Sequence, residues 1–158
     1  MIQPAISEDL EAIITLAVAA EMFPLNETEA LRQVLTDYFR NNTDEGDRWV
    51  TDKDRHQLRG VAYYGPALMA DRTWYLYMIA VRPDCQGQGY GTALIQYVEN
   101  ALRTCNQRLL LVETSGLPQY KRSRSFYLKC GYQEEACIRD FYTAGDDKIV
   151  FRKVLHRD

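Results

Sequence analysis

Apolar residues recur at helical spacing in three segments of the chain and predict three helices, and a fourth helix is predicted after Gly116 and Pro118. The first helix is predicted to start near Ser7, as its N-cap, and to end before Pro24. The second starts near residues 26–27, the third covers residues 92–103, and the fourth covers residues 119–130. Gly131 follows the fourth helix at the position where a glycine commonly ends a helix.

Seven further segments have the composition of strands: residues 2–5, 49–52, 58–65, 74–81, 109–112, 132–142 and 148–155. Residues 74–81 and 109–112 are apolar on both faces, which is typical of strands buried inside a sheet. The helix between them predicts a β-α-β crossover, which places these two strands near one another. The last two strands are predicted to form a hairpin. Together the elements predict one mixed α/β domain, of the α+β kind, covering residues 1–158.

The composition is that of a globular protein without an obvious polymeric or membrane partner. The chain has 158 residues and a net charge of -3, and it contains no basic stripe of the kind that binds nucleic acid. The longest apolar stretch, residues 12–20, is too short to span a bilayer, and the first residues do not have the pattern of a signal peptide. We therefore expect a cytoplasmic protein with no membrane or nucleic-acid partner.

Cysteines stand at positions 85, 105, 130 and 137, and none of them forms a C-x-x-C pair. A structural zinc site would need closer, paired ligands, so we expect no metal. Cys105, Cys130 and Cys137 are predicted to be buried, reduced thiols. Cys85 lies beside a glycine-rich loop, but no histidine is close to it in sequence to activate it as a nucleophile.

That loop contains the most informative pattern in the chain. Gly87, Gly89 and Gly91 follow a buried strand directly and precede a helix, so the backbone can curl tightly there. The N–H groups of the loop and the positive end of the helix dipole can then point at one anion, and a diphosphate fits such a site. The side chains of Gln86, Gln88 and Thr92 offer further hydrogen-bonding groups.

Two nucleotide-binding loops are alternatives to this interpretation. A P-loop is excluded because G-x-x-x-x-G-K-[ST] does not occur in the chain. A dinucleotide-binding loop has an acid about twenty residues later on the next strand, and Glu113 lies at about that place. Its glycine spacing differs, however, because Gly91 follows Gly89 by two positions instead of three.

Residues 79–94 resemble the acetyl-CoA motif of the GNAT superfamily of N-acetyltransferases, in which R/Q-x-x-G-x-G/A is matched by Gln86, Gly89 and Gly91. Residues 126–132, Phe-Tyr-Leu-Lys-Cys-Gly-Tyr, resemble the second signature of that family. The resemblance implies a GNAT-like fold, with a central, mixed, mostly antiparallel sheet of about seven strands, a splayed parallel pair and about four flanking helices. It also implies an acyltransferase that uses acetyl-CoA and no metal.

The resemblance further implies roles for individual residues. Tyr127 would be the general acid that protonates the leaving thiolate, and Arg124 is a candidate for contact with a phosphate of CoA. One departure is that Tyr120 stands where many relatives have an asparagine that contacts the cofactor or a water. The donor would be bound by backbone groups of Ile79, Ala80 and Val81, at the pantetheine arm, and by Gln86, Gly87, Gln88, Gly89, Tyr90, Gly91 and Thr92, at the diphosphate.

The base and the acceptor site are defined less sharply. Glu113 could take a proton directly or through water. Asp140 is the other candidate base, and either carboxylate could instead bind a cationic acceptor. By resemblance the acceptor site is lined by Phe23, Glu27, Asp140 and Tyr142. The acceptor would be a primary amine of a small molecule or peptide, and dimers are common in this family. A second hypothesis is a non-catalytic acyl-CoA-binding module that senses or regulates.

Overall fold

Seven β-strands and four α-helices are present among residues 1–22, 25–41 and 46–157, the part of the chain that the computed structural model describes. The helices are α1 (Leu10–Ala19), α2 (Thr28–Arg40), α3 (Tyr90–Thr104) and α4 (Lys121–Lys129). The strands are β1 (Ile2–Pro4), β2 (Arg48–Asp54), β3 (Gln57–Pro66), β4 (Thr73–Val81), β5 (Leu109–Ser115), β6 (Gln133–Thr143) and β7 (Asp146–Val154). Every predicted helix and strand is confirmed, with shifted boundaries.

The strands form one sheet in the order β1-β2-β3-β4-β5-β7-β6. Strands β4 and β5 are parallel, whereas the pairs β1–β2, β2–β3, β5–β7 and β6–β7 are antiparallel. The parallel register runs from Thr73 opposite Leu109 to Leu76 opposite Val112, and both strands continue beyond it. The predicted mixed, mostly antiparallel sheet with a parallel pair joined by a helical crossover is therefore confirmed.

Two compact units make up the chain, and the division falls within β4 and α3. The first unit consists of Met1–Gly65 and Met78–Val98, and the second of Pro66–Tyr77 and the residues from Glu99 onward. The core of the first unit is built by the apolar faces of α1 and α2 on the sheet. Its buried members are Ile13, Ile14, Leu16, Ala17, Leu31, Leu35, Trp49, Leu58, Val61, Met78 and Ala80.

A glycine sets the distance between β3 and α3 inside the first unit. A Cβ atom added to Gly60 would lie 2.7 Å from Cδ1 of Leu94 and 3.2 Å from the carbonyl oxygen of Ala80. The first separation is shorter than real Cβ atoms show and the second is tighter than most of them allow, so a larger residue at position 60 would force a shift. The close approach fixes the start of α3, and with it the glycine loop, against the sheet.

The core of the second unit is rich in aromatic side chains. Tyr127 on α4 packs against Phe151 on β7 and against Tyr132, with ring centroids 5.6 Å and 6.0 Å apart. Trp74 on β4 is buried, and its indole Nε1–H donates to Oε1 of Gln107 at 2.8 Å. Rings that meet edge to face contribute beyond the area they bury, so this cluster holds α4 firmly on the strands below it.

Two local predictions are wrong. Ser7 does not cap α1: it lies in the 3-10 helix Ser7–Asp9, its hydroxyl donates to the carboxylate of Glu8, and the carboxylate of Asp9 accepts from the N–H of Ile6. Cys105 and Cys137 are exposed and Cys130 is half-buried, whereas Cys85 is buried. Cys105 follows the last turn of α3 and Cys137 lies on the outermost strand, and neither position is covered by other elements.

No helix in the described part of the chain combines the length and the apolar character needed to cross a membrane.

Candidate functional site

The glycine loop begins where β4 ends and turns the chain into α3. The 3-10 helix Pro83–Cys85 follows the strand directly, and α3 starts at Tyr90. Between them Gly87 and Gly89 have φ angles of +75° and +89°, a region that residues with a Cβ atom rarely adopt. Glycine is therefore required at both positions by the conformation of the backbone.

The two glutamine side chains of this loop hold it in shape. The side-chain amide of Gln86 donates to the carbonyl of Val81 at 3.0 Å, and that of Gln88 donates to the carbonyl of Asp84 at 3.2 Å. The N–H groups in the first turn of α3 have no acceptor within the helix, as in every helix. No heavy atom lies within 4 Å of the position a Cβ of Gly89 would take, so the space beside the backbone is open to a ligand.

Arg59, on β3, is a residue of this region that the sequence analysis missed. Its guanidinium lies 4.3 Å from the centre of the Tyr90 ring, and Nη1 donates to the Tyr90 hydroxyl at 3.3 Å. Nη2 donates to the buried carboxylate of Asp52 at 2.9 Å, which fixes the side chain from the other end. A cation is thereby held at the N-terminus of α3, where the helix dipole is also positive.

The other predicted donor-binding residues lie along the same stretch of chain. Ile79, Ala80 and Val81 form the last part of β4, with Ala80 buried and its neighbours half-buried. Gly91 and Thr92 lie in the first turn of α3, and Thr92 is exposed. The predicted donor-binding residues of the first unit thus lie at the end of β4, in the glycine loop and at the start of α3.

Tyr127, in the second unit, is 7% exposed and lies on α4 as the sequence predicts. Burial of its ring raises the pKa of the phenol well above its ordinary value, and the nearby thiol of Cys130 raises this pKa further. A phenol with a raised pKa keeps its proton at neutral pH. The buried side chain is accordingly a neutral phenol, and its role as the general acid stays a prediction.

Arg124 and Tyr120 lie near the start of α4. Nη1 of Arg124 donates to the carbonyl oxygens of Ser115 at 2.7 Å and of Leu117 at 2.9 Å. These two bonds tie the helix to the end of β5 and to the turn that follows it. Tyr120 ends the 3-10 helix Pro118–Tyr120 and is half-buried. The structure thus gives Arg124 an anchoring role, and its contact with CoA stays a prediction.

Glu113 is not an isolated carboxylate. Its Oε1 lies 3.0 Å from Nζ of Lys148, a residue of β7 that the sequence analysis did not consider. The same ammonium lies 4.2 Å from the centre of the Phe141 ring. Tyr142 meets Phe141 edge to face, and desolvation, with the charges of Glu113 and Asp146, raises the pKa of the Tyr142 phenol. One charged and aromatic cluster therefore contains two of the predicted site residues.

Asp140 shapes the hairpin between β6 and β7. It has a φ angle of +57°, its N–H donates to the carboxylate of Asp147 at 3.0 Å, and its own carboxylate accepts from the N–H of Gly145 at 2.8 Å. An aspartate tolerates this left-handed conformation better than most residues because its short side chain bonds locally. Glu27 is exposed at the end of the 3-10 helix Leu25–Glu27, and Phe23 lies outside the described residues.

Known proteins resemble this chain both in sequence and in fold. The model of the acetyltransferase (GNAT) family matches residues 11–132, about three quarters of the chain. The chain belongs to the GNAT acetyltransferase family. The match includes the glycine loop, Tyr127 and Tyr132, so the resemblance inferred from the sequence is confirmed and the protein is an acetyltransferase.

Individual relatives agree with this assignment. An uncharacterized N-acetyltransferase of Methanocaldococcus jannaschii is 32% identical over 82 residues, which span half of each chain. A structure from Desulfovibrio desulfuricans described as a GNAT-family protein is 30% identical over 99% of both chains, with a TM-score of 0.94. The PaiA N-acetyltransferase of Thermoplasma acidophilum, solved with coenzyme A, shares the fold at 17% identity and a TM-score of 0.76, over 98% of both chains. Among the described residues no cluster of side chains could hold a metal ion.

Proposed function

We propose that this GNAT acetyltransferase transfers an acetyl group from acetyl-CoA to a primary amine of a small molecule or peptide, with Tyr127 as the general acid. The observation that carries the proposal is the loop before α3. Two glycines in left-handed conformations, open space beside Gly89 and the unbonded N–H groups of a helix start form a cradle for a diphosphate.

The diphosphate of acetyl-CoA carries the negative charge that such a site favours, and GNAT enzymes use acetyl-CoA as their acyl donor. In the proposal, the loop backbone from Gln86 to Thr92 binds the diphosphate, and backbone groups of Ile79, Ala80 and Val81 pair with the pantetheine arm. The guanidinium of Arg59, held by Asp52, lies over the Tyr90 ring and adds a positive group beside this loop. The loop supports a CoA ester over a dinucleotide because its second and third glycines are two positions apart.

The proposed reaction forms an amide C–N bond while the thioester C–S bond breaks. The leaving thiolate takes the proton of Tyr127, the amine loses its surplus proton to a base or to water, and water then reprotonates the phenolate. The phenol is protonated before each turnover, but the pKa raised by burial makes it a weaker acid, so the proposal requires the bound donor to offset part of this shift. Glu113 is the proposed base, and Lys148 is its ion-pair partner at 3.0 Å.

The proposed acceptor carries an ammonium group on an apolar body. Glu113 and Asp140 supply negative charge in the second unit, and Tyr142 supplies an exposed aromatic face. Such surroundings favour a cation with hydrocarbon attached to it. Glu27 and Phe23 stay proposed contacts from the first helices on the strength of the family resemblance.

A test of the proposal measures CoA release with acetyl-CoA and a panel of primary amines. Tyr127→Phe is expected to lower turnover by about ten- to a thousandfold, the range for a lost general acid, while the Kd of acetyl-CoA changes little. Tyr97→Phe makes the same chemical change at a half-buried position of α3, so it is the matched control and should keep full activity. Unchanged turnover in Tyr127→Phe would remove Tyr127 from the mechanism, and binding without turnover by any amine would indicate a non-catalytic module.

A further inference from the structure

A charged side chain that the proposed reaction does not use lies deep in the second unit. Glu99, at the start of the last turns of α3, is 2% exposed although it is a carboxylate. We propose that Glu99 is a positioning residue for Tyr127, acting through Tyr132 and Lys153. This proposal rests on the proposed role of Tyr127 as the general acid.

The carboxylate of Glu99 is fully engaged by donors from other elements. The hydroxyl of Tyr132 donates to Oε2 at 2.8 Å, and Nζ of Lys153, on β7, donates to Oε1 at 2.8 Å. Arg103, one turn further along α3, lies 3.5 Å from Oε1 at the edge of the site. A buried carboxylate is tolerated when each oxygen is bonded in this way, so its position is set sharply by its partners.

Both partners of Glu99 hold the segment that contains Tyr127. The N–H of Tyr132 donates to the carbonyl of Tyr127 at 3.0 Å, and the two rings meet edge to face with centroids 6.0 Å apart. Nζ of Lys153 also donates to the carbonyl of Cys130 at 2.7 Å, at the C-terminal end of α4. The segment from Tyr127 to Tyr132 is thereby fixed by backbone hydrogen bonds, by the contact of the two rings and by the bond from the Tyr132 hydroxyl to Glu99.

A purely stabilising role explains this network less well. Replacing a buried ion pair by apolar residues is often neutral or stabilising, because desolvation cancels much of the attraction. What such a pair does contribute is geometry: the hydrogen bond to Glu99 fixes the position of the Tyr132 hydroxyl and keeps the ring from withdrawing. Since Tyr127 packs against that ring, its phenol is held in one orientation, and a displacement of about 1 Å can cost up to about a hundredfold in rate.

The decisive variant is Tyr132→Phe, which keeps the ring and removes the hydroxyl. We expect kcat to fall by about tenfold with little change in the KM of acetyl-CoA, because orientation and not binding is lost. Glu99→Gln keeps an oxygen for the Tyr132 hydroxyl and should give a smaller loss, and it takes over the test if Tyr132→Phe does not fold. Arg103→Gln is the matched control, since it removes the outer partner of the same carboxylate and should leave kcat unchanged.

A second readout does not depend on activity. With fluorotyrosine incorporated throughout, the fluorine resonance of Tyr127 is assigned by its loss in Tyr127→Phe. Tyr132→Phe and Glu99→Gln should shift or broaden that resonance, and Arg103→Gln should not. An unmoved resonance together with wild-type kcat in both variants would overturn the proposal, as would losses that merely follow the melting temperature. If the wild-type enzyme acetylates no amine, the proposed function fails and the resonance alone decides the positioning.

Discussion

The ammonium of Lys148 lies 3.0 Å from the carboxylate of Glu113, which is the proposed base and also a candidate ligand for a cationic acceptor. The lysine side chain is 13% exposed, so the pair is partly withdrawn from water. An acceptor ammonium that approaches Glu113 therefore competes with a cation that is already in place. An acceptor ammonium must therefore displace Lys148 before it can pair with Glu113.

Lys148→Met tests that competition. The variant is expected to lower the KM of a cationic amine acceptor by about one and a half- to fivefold, the range of a partly exposed ion pair, and to leave the KM of acetyl-CoA unchanged. Steady-state kinetics with each substrate varied in turn measures both constants. Lys129→Met, at the exposed end of α4, is the matched control. A higher KM for the amine would mean that Lys148 orients Glu113 for the acceptor.

Two glycines with nearly the same φ angle, one in the glycine loop and one outside it, allow diphosphate binding to be tested at equal backbone strain. Gly89 and Gly145 have φ angles of +89° and +83°, and at neither does a heavy atom lie within 4 Å of the position that a Cβ atom would take. Alanine at either position should lower the free energy of unfolding by about 1–2 kcal/mol, the cost of a left-handed residue. Only Gly89→Ala should raise the Kd of acetyl-CoA, measured by calorimetry. Equal Kd values for both variants would contradict the proposed diphosphate site.

Stability at alkaline pH follows from two tyrosines with raised pKa values. Burial raises the pKa of both Tyr127 and Tyr132, and the carboxylate of Glu99 adds to the shift of Tyr132. Each phenol ionises near pH 10 in the unfolded chain but stays protonated in the folded one. Their contribution to stability is therefore complete below about pH 10 and declines above it, by about 1.4 kcal/mol per pH unit for each group.

Denaturant unfolding between about pH 9 and 11 measures this dependence, because the reference phenol pKa lies at about 10. Tyr132→Phe should make the decline in the free energy of unfolding less steep than in the wild type, whatever the variant does to stability at pH 8. Parallel curves for the two proteins would show that Tyr132 ionises alike in the folded and unfolded states. Tyr127→Phe should reduce the slope in the same way.

Gly60→Ala tests the close approach of α3 to β3. Overpacking costs about 1–3 kcal/mol, whereas replacing a strand glycine by alanine gains only about 0.5–1 kcal/mol from chain entropy, so a net loss of stability is expected. Gly116→Ala is the control, because its nearest contact would be 3.4 Å and thus ordinary. Thermal unfolding of both variants provides the comparison. A Gly60→Ala protein as stable as the control would mean that Leu94 moves aside freely.

The donor loop could be predicted from the sequence because its requirements are local. Glycines at positions 87 and 89 indicate a left-handed backbone, which the structure has at both. The buried strand before them and the helix after them are visible in the pattern of apolar residues. The hairpin of β6 and β7 was predictable for the same reason, since its two strands are neighbours in the chain. The parallel pair of β4 and β5 was predictable from the order of the elements instead, because a strand-helix-strand crossover brings two distant strands together.

The contacts that tune the site could not be predicted, because they join residues distant in sequence. Lys148 meets Glu113 only through the register of β7 on β5, and Arg59 reaches Tyr90 across 31 positions. The exposure of Cys105 and Cys137 was mispredicted because burial at a helix end or an edge strand depends on what covers it. No local pattern of apolar residues contains that information.

The contact between Arg59 and Tyr90 connects the glycine loop to the hairpin of β2 and β3. Arg59 bonds to Asp52 on β2 and to Tyr90 at the start of α3, so we expect a ligand that orders the loop to stabilise the hairpin as well. By thermodynamic linkage, stabilising the hairpin strengthens ligand binding by the same free energy. A substitution at Asp52, which lies outside the loop, is then expected to change the affinity for acetyl-CoA.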